Sequence, residues 1–204
     1  ISRVPPLFLT MTLPNRIYFT GVPGSRWSGI AQIMETIPGF NTSDRTPDRE
    51  YSHGAFSGHK GAYFGKKMEL HAILDNGYID QAWLDLGGCK VVKSHDWAYD
   101  IKKVHEHAKQ NSDWVMMVYR PDLSSFAWWH EAGGFKIKYP CYDWYENSTK
   151  MLAEIQIQNE AMLSYANEVD AVWRTFTPAW QQEHFGTVGT GTVPSKDILV
   201  TMLK

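Results

Sequence analysis

The sequence predicts an α/β domain built on a mostly parallel sheet with helices packed against it. Three observations carry that expectation. Residues 17–19 and 114–119 are short apolar runs of strand length, the second apolar throughout as a strand buried on both faces is, and residues 90–92, extended by Lys93, are a further strand candidate. Between them lie stretches whose apolar residues recur at helical spacing. Alternation of these two patterns is the mark of β-α-β units and therefore of parallel pairing.

In chain order, the run at 17–19 stops at a turn containing Gly21, Pro23 and Gly24, and a helical pattern follows at Trp27, Ile30, Ile33 and Met34. Residues 37–66 are rich in Gly, Pro, Ser, Asp and Tyr without a sustained period. They read as a long irregular excursion, a kind of segment that is usually functional or mobile. Residues 68–74 and 79–84 read as short helices. Trp97, Ile101, Val104 and Ala108 mark an amphipathic helix with Lys102, Lys103 and Glu106 outside. Pro121-Asp122 suits the first turn of another helix. The longest helix is expected over 148–167, with Leu152, Ile155, Met162 and Ala166 on one face. A strand at 171–175, a short helix at 178–184 and a flexible Gly/Thr-rich loop at 186–192 complete the reading.

Composition bounds the function. The 204 residues are 43% apolar and 21% charged, with a net charge of −2, which suits one soluble globular domain over 1–204. So balanced a charge argues against nucleic acid as a partner, and any anion site must be local. No run is long enough to span a membrane, and residues 4–13 are interrupted by Pro5 and Pro6 and lack a signal-peptide pattern. Cys89 and Cys141 show no paired motif, so a disulfide framework is not expected and the cytoplasm is the expected compartment. His105-Glu106-His107 looks metal-like, but residues two apart on a helix face different ways, so a solvated surface and no metal site are expected.

The chemistry concentrates in three polar clusters, each just after an expected strand: Gly24-Ser25-Arg26, Lys93-Ser94-His95, and Arg120 with Ser124-Ser125. In parallel sheets ligands sit beyond the carboxyl ends of the strands, so the clusters are expected to converge at one edge. A strand, a glycine turn and a helix aim free amides and a helix N-terminus at one point, which attracts phosphate or sulfate. The loop lacks the Gly-Lys-Ser/Thr ending of an ATP-binding P-loop and carries Ser25-Arg26-Trp27 instead.

Val91-Val92-Lys93-Ser94-His95, then a helix, then residues 114–129 with Arg120 closing the strand, resembles the sulfotransferases that use 3′-phosphoadenosine 5′-phosphosulfate (PAPS). The loop from Gly21 to Trp27 is similar to that family's phosphosulfate-binding loop, usually Pro-Lys-Ser-Gly-Thr-Thr-Trp, and the likeness extends over about residues 16–132. It implies a three-layer P-loop-type fold and PAPS as sulfate donor, with its desulfated nucleotide PAP as product and no metal required. It further implies that Pro23, Gly24, Ser25, Arg26 and Trp27 hold the 5′-phosphosulfate, with Trp27 near the adenine. Arg120 with Ser124 or Ser125 would hold the 3′-phosphate, Arg120 being otherwise a structural ion-pair residue. His95 would take a proton from the hydroxyl, or an amine, of a small-molecule or carbohydrate acceptor, because imidazole titrates near working pH. Lys93 would neutralise charge between donor and acceptor.

Two departures stand out. Val22 occupies the position of the family's loop Lys, so Arg26 or Lys60 is the candidate replacement, and Ser124 and Ser125 lie closer to Arg120 than the family's usual spacing. His53, His59 and Lys60 are either acceptor-pocket or exposed loop residues. Trp128, Trp129 and His130 pack the helix or face the acceptor, and the aromatic residues of 139–145 form a lid or a satellite core. A P-loop nucleotide or small-molecule kinase, with Asp122 as magnesium ligand, and a non-catalytic nucleotide-binding module are the alternatives.

Overall fold

A computed structural model of the chain describes residues 12–52, 58–137, 142–192 and 195–204. Residues 4–11 of the interrupted apolar segment, His53, Tyr139 and Cys141 fall outside these.

Five strands form the central sheet, in the order β4-β1-β5-β7-β6. β1 (Arg16–Gly21) is buried along its whole length because it lies between two parallel neighbours, β4 (Lys90–Lys93) and β5 (Trp114–Tyr119). β7 (Leu199–Leu203) pairs antiparallel with β5, and β6 (Arg174–Thr175) antiparallel with β7, so β6 again runs with the parallel three. The sheet is therefore mostly parallel, as expected.

Alternation along β1 sends its side chains to opposite faces. Ile17 and Phe19 join Trp27, Ile30, Ile33 and Met34 of α1 (Trp27–Met34), together with Trp180 and Phe185 of α6 (Pro178–Phe185). Tyr18 joins the other core. There α3 (Ile101–Gln110) contributes Ile101, Val104 and Ala108, α4 (Asp122–Glu131) contributes Trp129, and α5 (Ser148–Glu168) contributes Met151, Ile155 and Met162. Helices thus cover both faces, giving three layers. At the N-terminal edge the cations are neutralised within the fold: Arg16 reaches Asp80 at 2.6 Å and Asp113 at 3.0 Å, and Lys90 reaches Asp80 at 3.1 Å.

Several expectations need correction. Residues 68–74 are not helical, because Phe64 bridges Leu70 and the Gly65 amide bonds the Leu70 carbonyl at 2.8 Å. The helix expected at 79–84 is α2 (Asn76–Asp80), started earlier by Asp75, whose carboxylate caps the Tyr78 amide at 2.7 Å. The strand expected at 171–175 shrinks to β6, and β7 was not foreseen. The excursion holds a short antiparallel hairpin, β2 (Glu50–Ser52) with β3 (Gly58–Lys60). It is tied down by contacts distant in sequence: Asp44 accepts from the Ala62 amide at 2.7 Å, and Arg49 donates to the Ala82 carbonyl at 3.0 Å. The 186–192 loop is tethered too, through the Thr190 amide to the Thr36 hydroxyl at 2.7 Å. Among the described residues no helix is long and apolar enough to cross a membrane.

His105 and His107 point to different faces, as their spacing requires, but neither face is plain solvent. His105 is buried with Nδ1 2.9 Å from the Tyr165 hydroxyl, and His107 Nε2 lies 3.0 Å from Asn76 Oδ1. Burial depresses both imidazoles below 6.5, and His184, stacked on Trp180, as well. A histidine that resists protonation only in the fold leaves the unfolded chain with more bound protons at acid pH, so stability falls as pH drops through 6.5 and is level above it. Thermal unfolding is expected at a lower Tm at about pH 5.5 than at about pH 7.5, with about 2–4 °C lost per kcal/mol for a chain of this size. His105→Gln should flatten that dependence, and an unchanged slope would refute the assignment.

Candidate active site

The three parallel strands β4, β1 and β5 end at the same sheet edge, and the segments leaving them meet there. The Ser94 amide bonds the Phe19 carbonyl at 3.0 Å, His95 Nδ1 bonds the Gly21 carbonyl, and Arg120 Nη1 approaches the Gly24 carbonyl at 3.4 Å. The convergence expected from the sequence is present.

The β1–α1 turn closes through the Ser25 amide on the Val22 carbonyl at 3.1 Å. Gly24 has φ +79, and a Cβ there would stand 1.8 Å from the Ser125 carbonyl oxygen, so only glycine fits against α4. Arg26, the N-cap of α1, is also left-handed (φ 64, ψ 19) and makes no side-chain cap bond. The amides of Gly29 and Ile30 both bond the Arg26 carbonyl, at 3.0 and 3.2 Å. Those of Trp27 and Ser28, the first helical donors, have no acceptor among the described residues, as expected at an uncapped helix start. The Ser25 hydroxyl is fully buried and unpartnered as well. Two left-handed residues around a buried hydroxyl, followed by orphan amides, form an anion-binding concavity.

His95 is buried, its ring 4.4 Å from that of Trp27. A carbonyl only accepts, so Nδ1 carries the hydrogen toward Gly21, which leaves Nε2 as the position that can gain or lose a proton. Trp27 is itself core, stacked on Phe19 with ring centroids 5.5 Å apart. The half-buried aromatic surface nearby is Trp128, whose ring centroid lies 4.1 Å from the Arg26 guanidinium carbon. Burial, and then the neighbouring Arg120, depress the Arg26 pKa.

Arg120 bonds Asp197 at 2.9 Å. Burial pushes the Asp197 carboxyl up, but hydrogen bonds from Ser195, Arg120 and Ser124 hold it below the usual carboxylate value. Ser125 is buried and donates to the Arg120 carbonyl at 3.2 Å, while Asn159 bridges that carbonyl (2.9 Å) and Asp122 (2.6 Å). Lys93 departs from its expected role: Nζ is buried 2.8 Å from Glu35, and it also donates to the Lys60 carbonyl at 3.2 Å. Glu35 pairs with Arg45 as well. Val22 is fully buried in the core. Of the two excursion residues left open between pocket and surface, Lys60 is exposed, in a 3.0 Å pair with Glu50 on the wall of the larger cleft, whereas His59 is buried.

A narrow cavity of about 60 Å³ is lined by the loop, His95, His59, Tyr63, Trp128, Trp129 and Tyr145. It shares Arg26, Ser28, Gly58, His59 and Trp128 with a cleft of about 430 Å³ between α1 and the β2–β3 hairpin, which Gln32, Glu50 and Lys60 also line. Tyr142, Trp144 and Tyr145 pack into the core.

No protein-family model, curated protein or solved structure matches this chain significantly. The features missed by sequence reasoning are Asp197, Glu35 and the pairing of Arg26 with Trp128. Glu35 follows the apolar positions Ile30, Ile33 and Met34, and an acid closing such a stripe is a usable sign of a buried counter-ion. Asp197 follows a Gly/Thr-rich segment with no comparable signal. Among the described residues no group of three or more His, Cys, Asp or Glu side chains is arranged to hold a metal ion.

Proposed function

We propose that this chain is a sulfotransferase of P-loop-type architecture that moves a sulfuryl group from PAPS to a hydroxyl, or an amine, of a small-molecule or carbohydrate acceptor. The observation that carries this reading is the meeting, at one sheet edge, of an anion-binding turn, an imidazole of fixed tautomer and Arg120. The residues fit the donor. The amides of Trp27 and Ser28 and the Ser25 hydroxyl, unpartnered among the described residues, suit its 5′-phosphosulfate, and Arg120, exchanging Asp197 for phosphate, would hold its 3′-phosphate with Ser124 or Ser125. When bound, PAPS supplies an activated sulfuryl group with a phosphate leaving group. His95 would accept the acceptor's proton at Nε2, and the turn would hold the donor in line. The near-neutral charge supports a small acceptor over nucleic acid, and the absence of a paired cysteine motif supports a cytoplasmic setting.

Calorimetry with PAP tests this directly. Wild type is expected to bind, and Arg120→Ala to weaken binding by roughly 10–100-fold, the loss of a charge-assisted contact. Adenosine 5′-phosphosulfate, which lacks the 3′-phosphate, should lose little from the same substitution. A folded wild type that gives no binding heat refutes the proposal. The buried Val22 and the pairing of Lys93 with Glu35 favour one second reading, a nucleotide-binding module without transfer. PAP binding with no sulfate transfer to any acceptor would select it. Magnesium-dependent ATP turnover would select a kinase instead.

A further inference from the structure

Among the described residues four cationic side chains surround the turn and its clefts, and three already have a carboxylate. Lys93 has Glu35 at 2.8 Å, Lys60 has Glu50 at 3.0 Å, and Arg120 has Asp197 at 2.9 Å. Arg26 has none among the described residues; its guanidinium lies over Trp128 instead. A partly buried cation beside a second guanidinium is unfavourable unless something answers its charge, and one aromatic face answers it only in part.

The backbone makes an arginine here harder to explain structurally. Residue 26 is left-handed, a conformation that favours glycine, and it caps a helix without offering a side-chain acceptor. Glycine, asparagine or aspartate would satisfy the fold better, so what arginine adds is its charge. Independently of that charge, the same turn leaves the Trp27 and Ser28 amides and the fully buried Ser25 hydroxyl without partners among the described residues. Arg26, Trp27 and Ser28 line one cavity together with His95.

We propose that Arg26 is the ligand-binding cation of this turn: its guanidinium, held on Trp128 in the free protein, engages the oxygens of a phosphate or phosphosulfate bound against the Trp27 and Ser28 amides. It supplies the charge that Val22 does not, from four residues further along the chain. Trp128 is a positioning residue, keeping the side chain at the mouth of the turn rather than in solvent. The proposal deepens the sulfotransferase reading and rests on it only for the identity of the anion.

The test titrates the full chain with inorganic pyrophosphate and, separately, with PAP, following heat and tryptophan fluorescence. Both are expected to bind, with a fluorescence change as the guanidinium leaves Trp128. Arg26→Gly relieves the left-handed backbone, so its Tm should equal or exceed that of wild type, while both ligands weaken by roughly 10–100-fold. Arg26→Lys, which keeps the charge without the planar fork, should lose less than about tenfold. Trp128→Leu should abolish most of the fluorescence change. Arg26→Gly binding pyrophosphate as tightly as wild type would overturn the proposal, even if PAP still bound. Wild type binding pyrophosphate through Arg26 but not PAP would sink the sulfotransferase reading and leave this one standing. Binding of neither ligand overturns both.

Discussion

Lys93→Met is expected to destabilise the fold by about 3–5 kcal/mol, the usual consequence of stranding a buried charge. Lys93 and Glu35 side chains are each 2% exposed, so neither has water as an alternative partner. Arg45, at 27%, stays with Glu35 after the substitution and softens the loss. Asp44 is affected too. Burial already raises its carboxyl above the usual range, and Lys93 is the strongest influence holding it down. Removing the ammonium therefore raises an already raised acid. A carboxyl whose folded pKa exceeds its unfolded value is favoured in the fold at low pH and costs stability once pH climbs through the unfolded value. The variant should accordingly be hurt more at about pH 7 than at about pH 5, as urea unfolding at the two pH values would show. Glu35→Leu in the same chain should restore much of the loss, since the partly exposed Arg45 remains solvated. A Lys93→Met protein of wild-type stability that has lost sulfate transfer would give Lys93 the catalytic role implied by the family resemblance.

That prediction also marks where sequence reasoning stops. The apolar run at 114–119 specified a buried central strand, and the long apolar face around Ile155 and Met162 specified α5, because both depend on local periodicity. Their order was enough to place Gly24, His95 and Arg120 at one edge. The β2–β3 hairpin and β7 were invisible for the opposite reason. The hairpin is held by Asp44 and Arg49 reaching groups 18 and 33 residues away, and β7 exists because β5 offers it an edge. The fate of each cation was likewise not local. Lys93 at the end of an apolar strand looks the same whether it faces a ligand or Glu35, which is 58 residues distant. Only the packing of α1 on the sheet decides. Arg26 was readable as a departure from the usual loop, but its lack of a carboxylate becomes meaningful only beside Arg120 and Trp128.

His95→Asn is expected to lower sulfate transfer by roughly 10²–10⁴-fold, the range for losing a general base, while leaving PAP affinity within about threefold of wild type. The choice of asparagine follows from the ring's orientation. His95 donates from Nδ1 to the Gly21 carbonyl, and the shorter amide can place an N–H at that position without offering a base at Nε2. The last carbonyl of β1 would keep its donor, and the turn that begins there would keep its shape. His95→Gln carries its amide one bond further out, toward Nε2, and strands that buried carbonyl at a cost of about 1–3 kcal/mol. The two variants should therefore separate: the asparagine form stable, nucleotide-binding and inactive, the glutamine form less stable and weaker in binding. Radiolabelled PAPS with 4-nitrophenol and glucosamine supplies one hydroxyl and one amine acceptor for the assay. Transfer by His95→Asn within tenfold of wild type would remove His95 from the chemistry. Equal stability of the two variants would remove the Gly21 bond from the account of how the ring is held.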